Sequence, residues 1–354
     1  MEKVVGLSLD YFKGKKVLVT GHTGFKGSWL CVLLNRLRSD VYGYSLEPPT
    51  DPSLYEIANI DGIVHSEIGD IRDFDHLSEY IRRTSPQVII HMAAQPIVKV
   101  GYSEPRMTYE TNVMGTVNIL EAIRGADSVE SFVNVTTDKV YENNDEEEFF
   151  REGDKLNGHD PYSNSKSCSE LVTDSYKKCF FTEGGCAIST ARAGNVIGGG
   201  DFAQFRIIPD CVTAAIEGKD IVIRNPKSIR PFQHVLEPLF AYLTIASSQV
   251  RDRTLSGNYN VGPEVSDCVN VEKLVSIFCK YWGGTTYNIQ GDNGPHEAKV
   301  LRLDCSLIKE KLNYRPRWNI DEAVRRVVEW SKVWKSNGDV REIMEKQIDD
   351  YMGE

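Results

Sequence analysis

The sequence is poor in the features that would direct it to several common classes. Its 8 cysteines form no CxxC pair, and no Cys/His spacing resembles a metal site. Cys31, Cys168, Cys179, Cys186, Cys211, Cys268, Cys279 and Cys305 are dispersed, which suits a reducing compartment and reads as buried apolar filling. No stretch approaches the roughly 20 apolar residues needed to span a bilayer. Met1 to Gly14 carries charges without an apolar run, unlike a signal peptide. A cytoplasmic protein without a membrane partner is therefore expected. Positive charge is also in deficit: 41 Lys and Arg face 51 Asp and Glu, a net charge of -10. That sign opposes approach to nucleic acid. An anionic small substrate would need a local basic cluster to overcome it.

What is present points to a folded enzyme-sized body. The 354 residues are 41% hydrophobic and 10% aromatic, enough for a core and too much for disorder. Short apolar runs alternate with amphipathic ones. Strands are predicted at Lys16–Thr20, Val41–Ser45, Val64–Ile68, Gln87–His91, Ser131–Val135 and Cys186–Ala191. Helices are predicted at Phe25–Leu37, Asp73–Arg83, Pro105–Arg124 and Tyr162–Phe181. Strand–helix alternation implies right-handed crossovers and an α/β, Rossmann-type doubly wound parallel sheet, with ligands at the carboxyl ends of its strands. After Gly194 the texture changes: Gly198-Gly-Gly200 interrupts, and shorter elements follow, including Ile221–Ile223, Asn258–Val261 and Val271–Tyr281. The expected organisation is a dinucleotide-binding domain over 1–194, rejoined by some later segments, and a smaller substrate lobe over 195–354. The acidic run Asp145–Glu148 reads as a solvated loop.

The sharpest local signal is Gly21-His22-Thr23-Gly24-Phe25-Lys26-Gly27, placed between a strand and a helix. Glycines there allow a tight turn and close backbone approach to a pyrophosphate, and the helix N-terminus offers free amides and a favourable dipole. Three glycines alone are a weak pattern; the strand–turn–helix setting gives them weight. The acidic residue often found at the end of the second strand is missing from Tyr44-Ser45-Leu46, so that feature leaves NAD against NADP open. Asp70, just past the third strand, offers a carboxylate to an adenine amino group, or simply caps the next helix.

Tyr162 and Lys166 lie four residues apart, on one face of a helix. A nearby ammonium favours a phenolate, which can take a hydroxyl proton. Thr137, Asp138 and Lys139 follow the fifth strand and add a hydroxyl and an acid/base pair. The plain alternative for the last two is a turn with a surface ion pair.

Together, Thr20–Gly27, His91-Met-Ala-Ala94, Thr137-Asp138-Lys139, Tyr162/Lys166 and Ala191–Asn195 resemble the extended short-chain dehydrogenase/reductases, in family order and over nearly the whole chain. Leu46–Thr50, Arg230–Pro238 and His296–Asp304 add a resemblance to the nucleotide-sugar 4,6-dehydratases, and Lys139 matches their CDP-sugar branch rather than the Thr-Asp-Glu of the dTDP-sugar branch. The resemblance implies a redox-neutral cycle on bound NAD. Tyr162 would deprotonate the sugar 4-hydroxyl, a base would take the C5 proton, and Asp138 would protonate the leaving C6 hydroxyl, giving CDP-4-keto-6-deoxyglucose. Lys139 stands where the C5 base is expected; as a base it must be neutral, well below its usual pKa of about 10.4, and a charged Lys139 stabilising the enolate is the alternative.

The resemblance further implies cofactor contacts from Gly21 through Gly27, Asp70, Ile71, Ala93, Ala94, Thr136, Tyr162 and Lys166. It implies substrate contacts from Gln95, Asn195, Arg206, Arg230 and Arg302, with Arg192, Lys227 and Lys299 as further basic candidates. His22 reads as packing near the cofactor, and His234 as hydrogen-bonding within the lobe rather than taking part in chemistry. Helices 105–124 and 162–181 would pair two copies into a homodimer or a dimer-based oligomer. Competing readings are another nucleotide-sugar dehydratase, a nucleotide-sugar epimerase or reductase (which needs Tyr162 and Lys166 but not the acid/base pair), and a non-catalytic dinucleotide sensor.

Overall fold

The apolar runs of the first half lie side by side in space. In the computed structural model, which describes residues 9–143, 149–182, 184–290 and 300–353, six of them form β1 (Lys16–Thr20), β2 (Asp40–Ser45), β3 (His65–Ile68), β4 (Val88–His91), β5 (Ser131–Val135) and β6 (Ala187–Ala193). The sheet runs Asn258–Val261, β6, β5, β4, β1, β2, β3, and every neighbouring pair is parallel. Strand order reverses between β1 and β4, so a crevice opens at their carboxyl ends. Both faces are covered, which is why β4 and β5 are buried along their whole length.

On one face lies α1 (Phe25–Arg36), together with the helices Leu236–Arg251 and Val340–Met352; Trp29, Leu33, Leu239, Tyr242 and Met344 are buried there. On the other, Leu77, Ile81, Ile119 and Ile123 from helices Phe74–Thr84 and Gly115–Arg124 pack on Leu18, Ile89 and Phe132. Several segments from beyond residue 194 thus belong with the sheet, the helix Val340–Met352 among them. The helix Leu236–Arg251 is buried almost throughout and packs beneath β5 and β6, and Asn258–Val261 extends the sheet beside β6. A separate cluster builds the lobe, with Ile208, Ile221, Phe278, Val324 and Val327 at its centre. Among the cysteines, Cys31, Cys186, Cys211 and Cys305 are buried, but Cys179 is exposed near the end of its helix. No described helix is long and apolar enough to cross a membrane.

The long helix expected over 105–124 is interrupted. Pro105–Tyr109 and Gly115–Arg124 are α-helical, and a π-turn at Glu110–Met114 joins them. Its cause is tertiary: the buried Asn112 amide accepts from Gln95 N at 2.8 Å and donates to Gln95 O at 3.1 Å and Ser165 Oγ at 2.9 Å. Drawing that side chain inward toward the loop after β4 takes one extra residue of winding. The same face carries Thr116 and Ser169 hydroxyls at 2.8 Å, so a polar seam joins this helix to Pro161–Phe180. Asn112→Leu would leave three buried groups without their partner. We expect it to lower the unfolding free energy by about 3 kcal/mol in urea titrations; a loss below about 1 kcal/mol would mean that the π-turn is held by other contacts.

Candidate active site

The turn between β1 and α1 is built by close approach. Gly21 has φ +77 and a Cβ there would stand 2.9 Å from Ala93 N, while one on Gly27 would stand 2.1 Å from Gly21 O. Gly24 is the N-cap of α1 and supplies no side-chain cap, which leaves the first amides of the helix open to an anion. These features fit a dinucleotide pyrophosphate. Thr23 Oγ1 pairs with Ser45 Oγ at 2.8 Å and donates to Leu46 O at 2.9 Å, fastening the turn to the end of β2. Thr20 Oγ1 accepts from both Met92 N and Ala93 N at 3.1 Å, which sets the loop leading to Ala94 beside the turn.

Three residues expected around a cofactor are otherwise engaged. The His22 ring is fully buried against Tyr55, and its Nε2 pairs with Ser66 Oγ at 2.8 Å. A Cβ on Gly43 would lie 2.4 Å from that ring, so His22 fills the space beneath β2 and β3, and burial pushes it down to about 4. The Asp70 carboxylate is gripped by Arg72, whose Nε donates at 3.0 Å and whose backbone N donates at 2.9 Å; those bonds hold it below the usual carboxylate range. Ile71 is buried in the core against Gly115.

The groups at the end of β5 face a cavity of about 400 Å³. Thr136, Thr137, Asp138, Lys139 and Tyr162 line it, with Phe25 and Lys26 from α1. Asp160 caps the helix Pro161–Phe180 through Ser163 N at 3.0 Å, and Pro161 stands at its first turn. Asp138 is 2% exposed, and its Oδ2 has no hydrogen-bond partner among the described residues. Its Oδ1 accepts from Thr137 Oγ1 at 3.1 Å. Burial raises the Asp138 carboxyl, against the pull of Lys139, the Thr137 hydroxyl and Arg230. A surface ion pair does not describe this carboxylate.

The Tyr162 phenol is pushed up to about 12, chiefly by burial; the Thr137 hydroxyl and Arg206 act the other way. The sequence expectation was a phenol lowered by Lys166. Instead Lys166 Nζ donates to Val135 O at 3.1 Å, and burial brings that amine down to about 8. Removal of water outweighs the neighbouring charge for both groups. Lys26, over the Tyr242 ring at 5.9 Å, is likewise brought down to about 7 by burial and then by Lys166 and Arg206.

The cavity extends from these groups into the lobe, where Asn195, Arg206 and Arg230 line it. Arg206 Nη1 is paired with Asp201 at 2.9 Å, and Arg230 Nη1 donates to Ile229 O at 2.9 Å. Three other expected residues lie outside the cavity lining. Gln95 is outside the lining: its Nε2 donates to Thr108 Oγ1 at 2.9 Å and its Oε1 accepts from Ile97 N at 2.6 Å. Arg302 is also outside it, with its guanidinium over Phe149 at 5.6 Å. Arg192 is 1% exposed in an ion pair with Glu170. Lys227 is exposed and does not line the cavity, and Lys299 and His296 lie outside the described residues, as does the acidic run at 145–148. The sequence reading missed Lys99, Arg224 and Phe205, which do line the cavity. Lys99 follows the carboxyl end of β4, where the doubly wound rule places ligands, and Arg224 follows the short lobe strand Ile221–Ile223, outside the main sheet.

The family model for GDP-mannose 4,6 dehydratase matches residues 18–327. The CDP-glucose 4,6-dehydratase of Salmonella typhimurium is 43% identical over 350 residues, covering 97% of this chain and 98% of that protein. The dTDP-glucose 4,6-dehydratase of Shigella flexneri is 25% identical, covering 89% and 92%. Among solved structures, the dTDP-glucose 4,6-dehydratase from Bacillus anthracis in complex with NAD has a TM-score of 0.76 at 22% identity, covering 94% of this chain and 100% of that one. UDP-glucose-4-epimerase from Stenotrophomonas maltophila has a TM-score of 0.79 at 21% identity, covering 92% and 100%. These two solved structures share the fold. By the family model and the 43% identical relative, the chain belongs to the GDP-mannose 4,6-dehydratase family of nucleotide-sugar dehydratases.

Proposed function

We propose that this chain is a hydro-lyase that converts CDP-D-glucose to CDP-4-keto-6-deoxy-D-glucose with bound NAD. The observation that carries the reading is the buried Asp138, with one oxygen unpartnered among the described residues, lining one cavity with Thr137, Lys139 and Tyr162. An epimerase or reductase needs no such acid. The similarity to CDP-glucose 4,6-dehydratase over nearly the full length of both chains supports the substrate.

The Gly21–Gly27 turn and the amides of α1 would hold the pyrophosphate, with Thr136, Tyr162 and Lys166 at the reacting end. When bound, NAD accepts a hydride from sugar C4 and later returns it to C6. Tyr162 takes the proton of the 4-hydroxyl, and Thr137, which bonds to both Tyr162 and Asp138, orients it. The resulting 4-ketone makes the C5 proton acidic. Lys139, which lines the cavity beside Asp138, is the group placed to take that proton and to give it back to C5 when the hydride reaches C6. Asp138 gives its proton to the C6 hydroxyl as the C6–O bond breaks, and water leaves. A carboxyl raised by burial suits a proton donor. Arg206, Arg230, Asn195 and Arg224 would receive the diphosphate, where the planar guanidinium makes paired bonds. They supply the local basic cluster that the chain's overall charge demands.

The exposed apolar Met114 and Leu171, 50% and 55% accessible on neighbouring helices, support a homodimer through that face. Eight free cysteines suit a cytoplasmic setting.

Incubation with NAD and CDP-glucose should yield a sugar nucleotide lighter by one water in the mass spectrum, with no net reduced nicotinamide. An unchanged mass, with sugar isomerisation seen by NMR, would favour an epimerase instead. Asp138→Asn should slow water loss on the order of 10²-fold or more while the first oxidation persists, so reduced nicotinamide accumulates. Equal loss of both steps would remove Asp138 from the elimination. In analytical ultracentrifugation, Met114→Glu with Leu171→Glu should sediment as a monomer where the parent chain is a dimer.

A further inference from the structure

Beneath the reacting groups lies a buried ion pair that the reaction above does not use. Glu170 stands one helical turn beyond Lys166 and two beyond Tyr162, on the same helix. Its side chain is 0% exposed, and that of Arg192 on β6 is 1% exposed. One Glu170 oxygen, Oε2, accepts from Arg192 Nη2 at 2.9 Å and from Thr190 Oγ1 at 2.8 Å; the other accepts from the Thr136 hydroxyl. Thr136 sits between Val135, whose carbonyl accepts from Lys166, and Thr137, which bonds to Tyr162. A single carboxylate therefore fastens the Tyr162–Lys166 helix to the end of β5.

Stability is a poor reason for such a pair. Removing two charges from water costs as much as their attraction returns, and apolar replacements of buried pairs are often no less stable. The charge itself is what an apolar pair would not supply. Glu170 is the group whose field favours the Lys166 ammonium, against the burial that disfavours it. Around them, Lys166 is faced by His91 from β4 and Lys26 from α1, both like in sign when charged. Arg192 is faced by Tyr141 and Glu152 as well as Glu170.

We propose that Glu170 is a positioning residue for the reaction, holding Lys166 protonated and against the end of β5, and that Arg192 is the counter-charge that limits this hold. The proposal rests on the reading that Tyr162 and Lys166 serve catalysis.

The two partners of the pair then act on Lys166 with opposite sign, which a merely structural role would not produce. In protein carrying carbon-13-labelled lysine, the Lys166 signal is assigned by its loss in Lys166→Met and followed against pH. Glu170→Gln removes a negative charge, and its Lys166 midpoint should fall by about one pH unit. Arg192→Gln removes a positive charge, and the midpoint should rise. Glu170→Asp keeps the charge and should restore the parent value. In each case the alkaline limb of kcat should move with the midpoint. Should the single variants not fold, the neutral pair Glu170→Gln with Arg192→Gln decides: Glu170 is the nearer influence on Lys166, so the midpoint should still fall. Unmoved midpoints, movement of both single variants in one direction, or a moved midpoint with an unmoved kcat limb would each overturn the proposal. The titration needs no turnover. A parent chain inactive on CDP-glucose would therefore sink the proposed function on its own, distinguishably from a Lys166 that ignores Glu170.

Discussion

One hydroxyl sets the geometry on which the site depends. Thr20 closes β1, and its Oγ1 takes the amides of Met92 and Ala93 while pairing with His91 Nδ1 at 2.8 Å. That clamp is fully buried at the point where the strand order reverses. It fixes how far the loop after β4 stands from the glycine turn, and Gly21 has no room for a side chain because of it. The same loop is gripped from the other side by Asn112, through both polar groups of the Gln95 backbone. The crevice is thus a gap between two pieces of backbone, each held by buried hydrogen bonds rather than by surface contacts. Such bonds are short-ranged and directional, so the gap has one width.

Within that frame, removal from water is the strongest single influence on the titratable side chains around the crevice. It raises the Asp138 carboxyl and the Tyr162 phenol, and lowers Lys166 and Lys26. Every one of these shifts favours the uncharged form. The charges that oppose it are Glu170 beneath Lys166, Arg206 beside Tyr162, and Lys139 and Arg230 beside Asp138. Chemistry that moves protons through neutral states gains from the first effect, and the second decides how far it goes.

The parts of this arrangement that could be read from the chain were those fixed by short spacing. Gly21, Gly24 and Gly27 between a strand and a helix, and Tyr162 with Lys166 on one helical face, declare themselves because neighbours in sequence are neighbours in space. Parallel strands buried on both faces were equally plain, since Val88-Ile-Ile90 has no polar side. What the chain does not show is how distant segments compete for one side chain. Gln95 and Arg192 are polar residues in the right neighbourhoods, but Thr108 and Glu170 reach them first. The break in the helix over 105–124 is invisible locally, because it is made by a loop 17 residues earlier. Arg224 was overlooked for the opposite reason: it follows an unremarkable short strand that only the lobe's packing brings to the cavity, whereas Lys99 sits on the short helix Val98–Ser103, packed on Pro161–Phe180.

The unpartnered oxygen of Asp138 has an evolutionary side. A buried polar atom without a hydrogen-bond partner among the described residues costs stability. The proton donation proposed for it is a demand that would retain it. Copies of this chain released from that demand would accumulate an amide or an apolar residue at position 138 early, and would gain stability as they lost the reaction. The most perishable residue in such a lineage would be the acid at the end of β5, while the glycine turn, which also closes the fold, would outlast it.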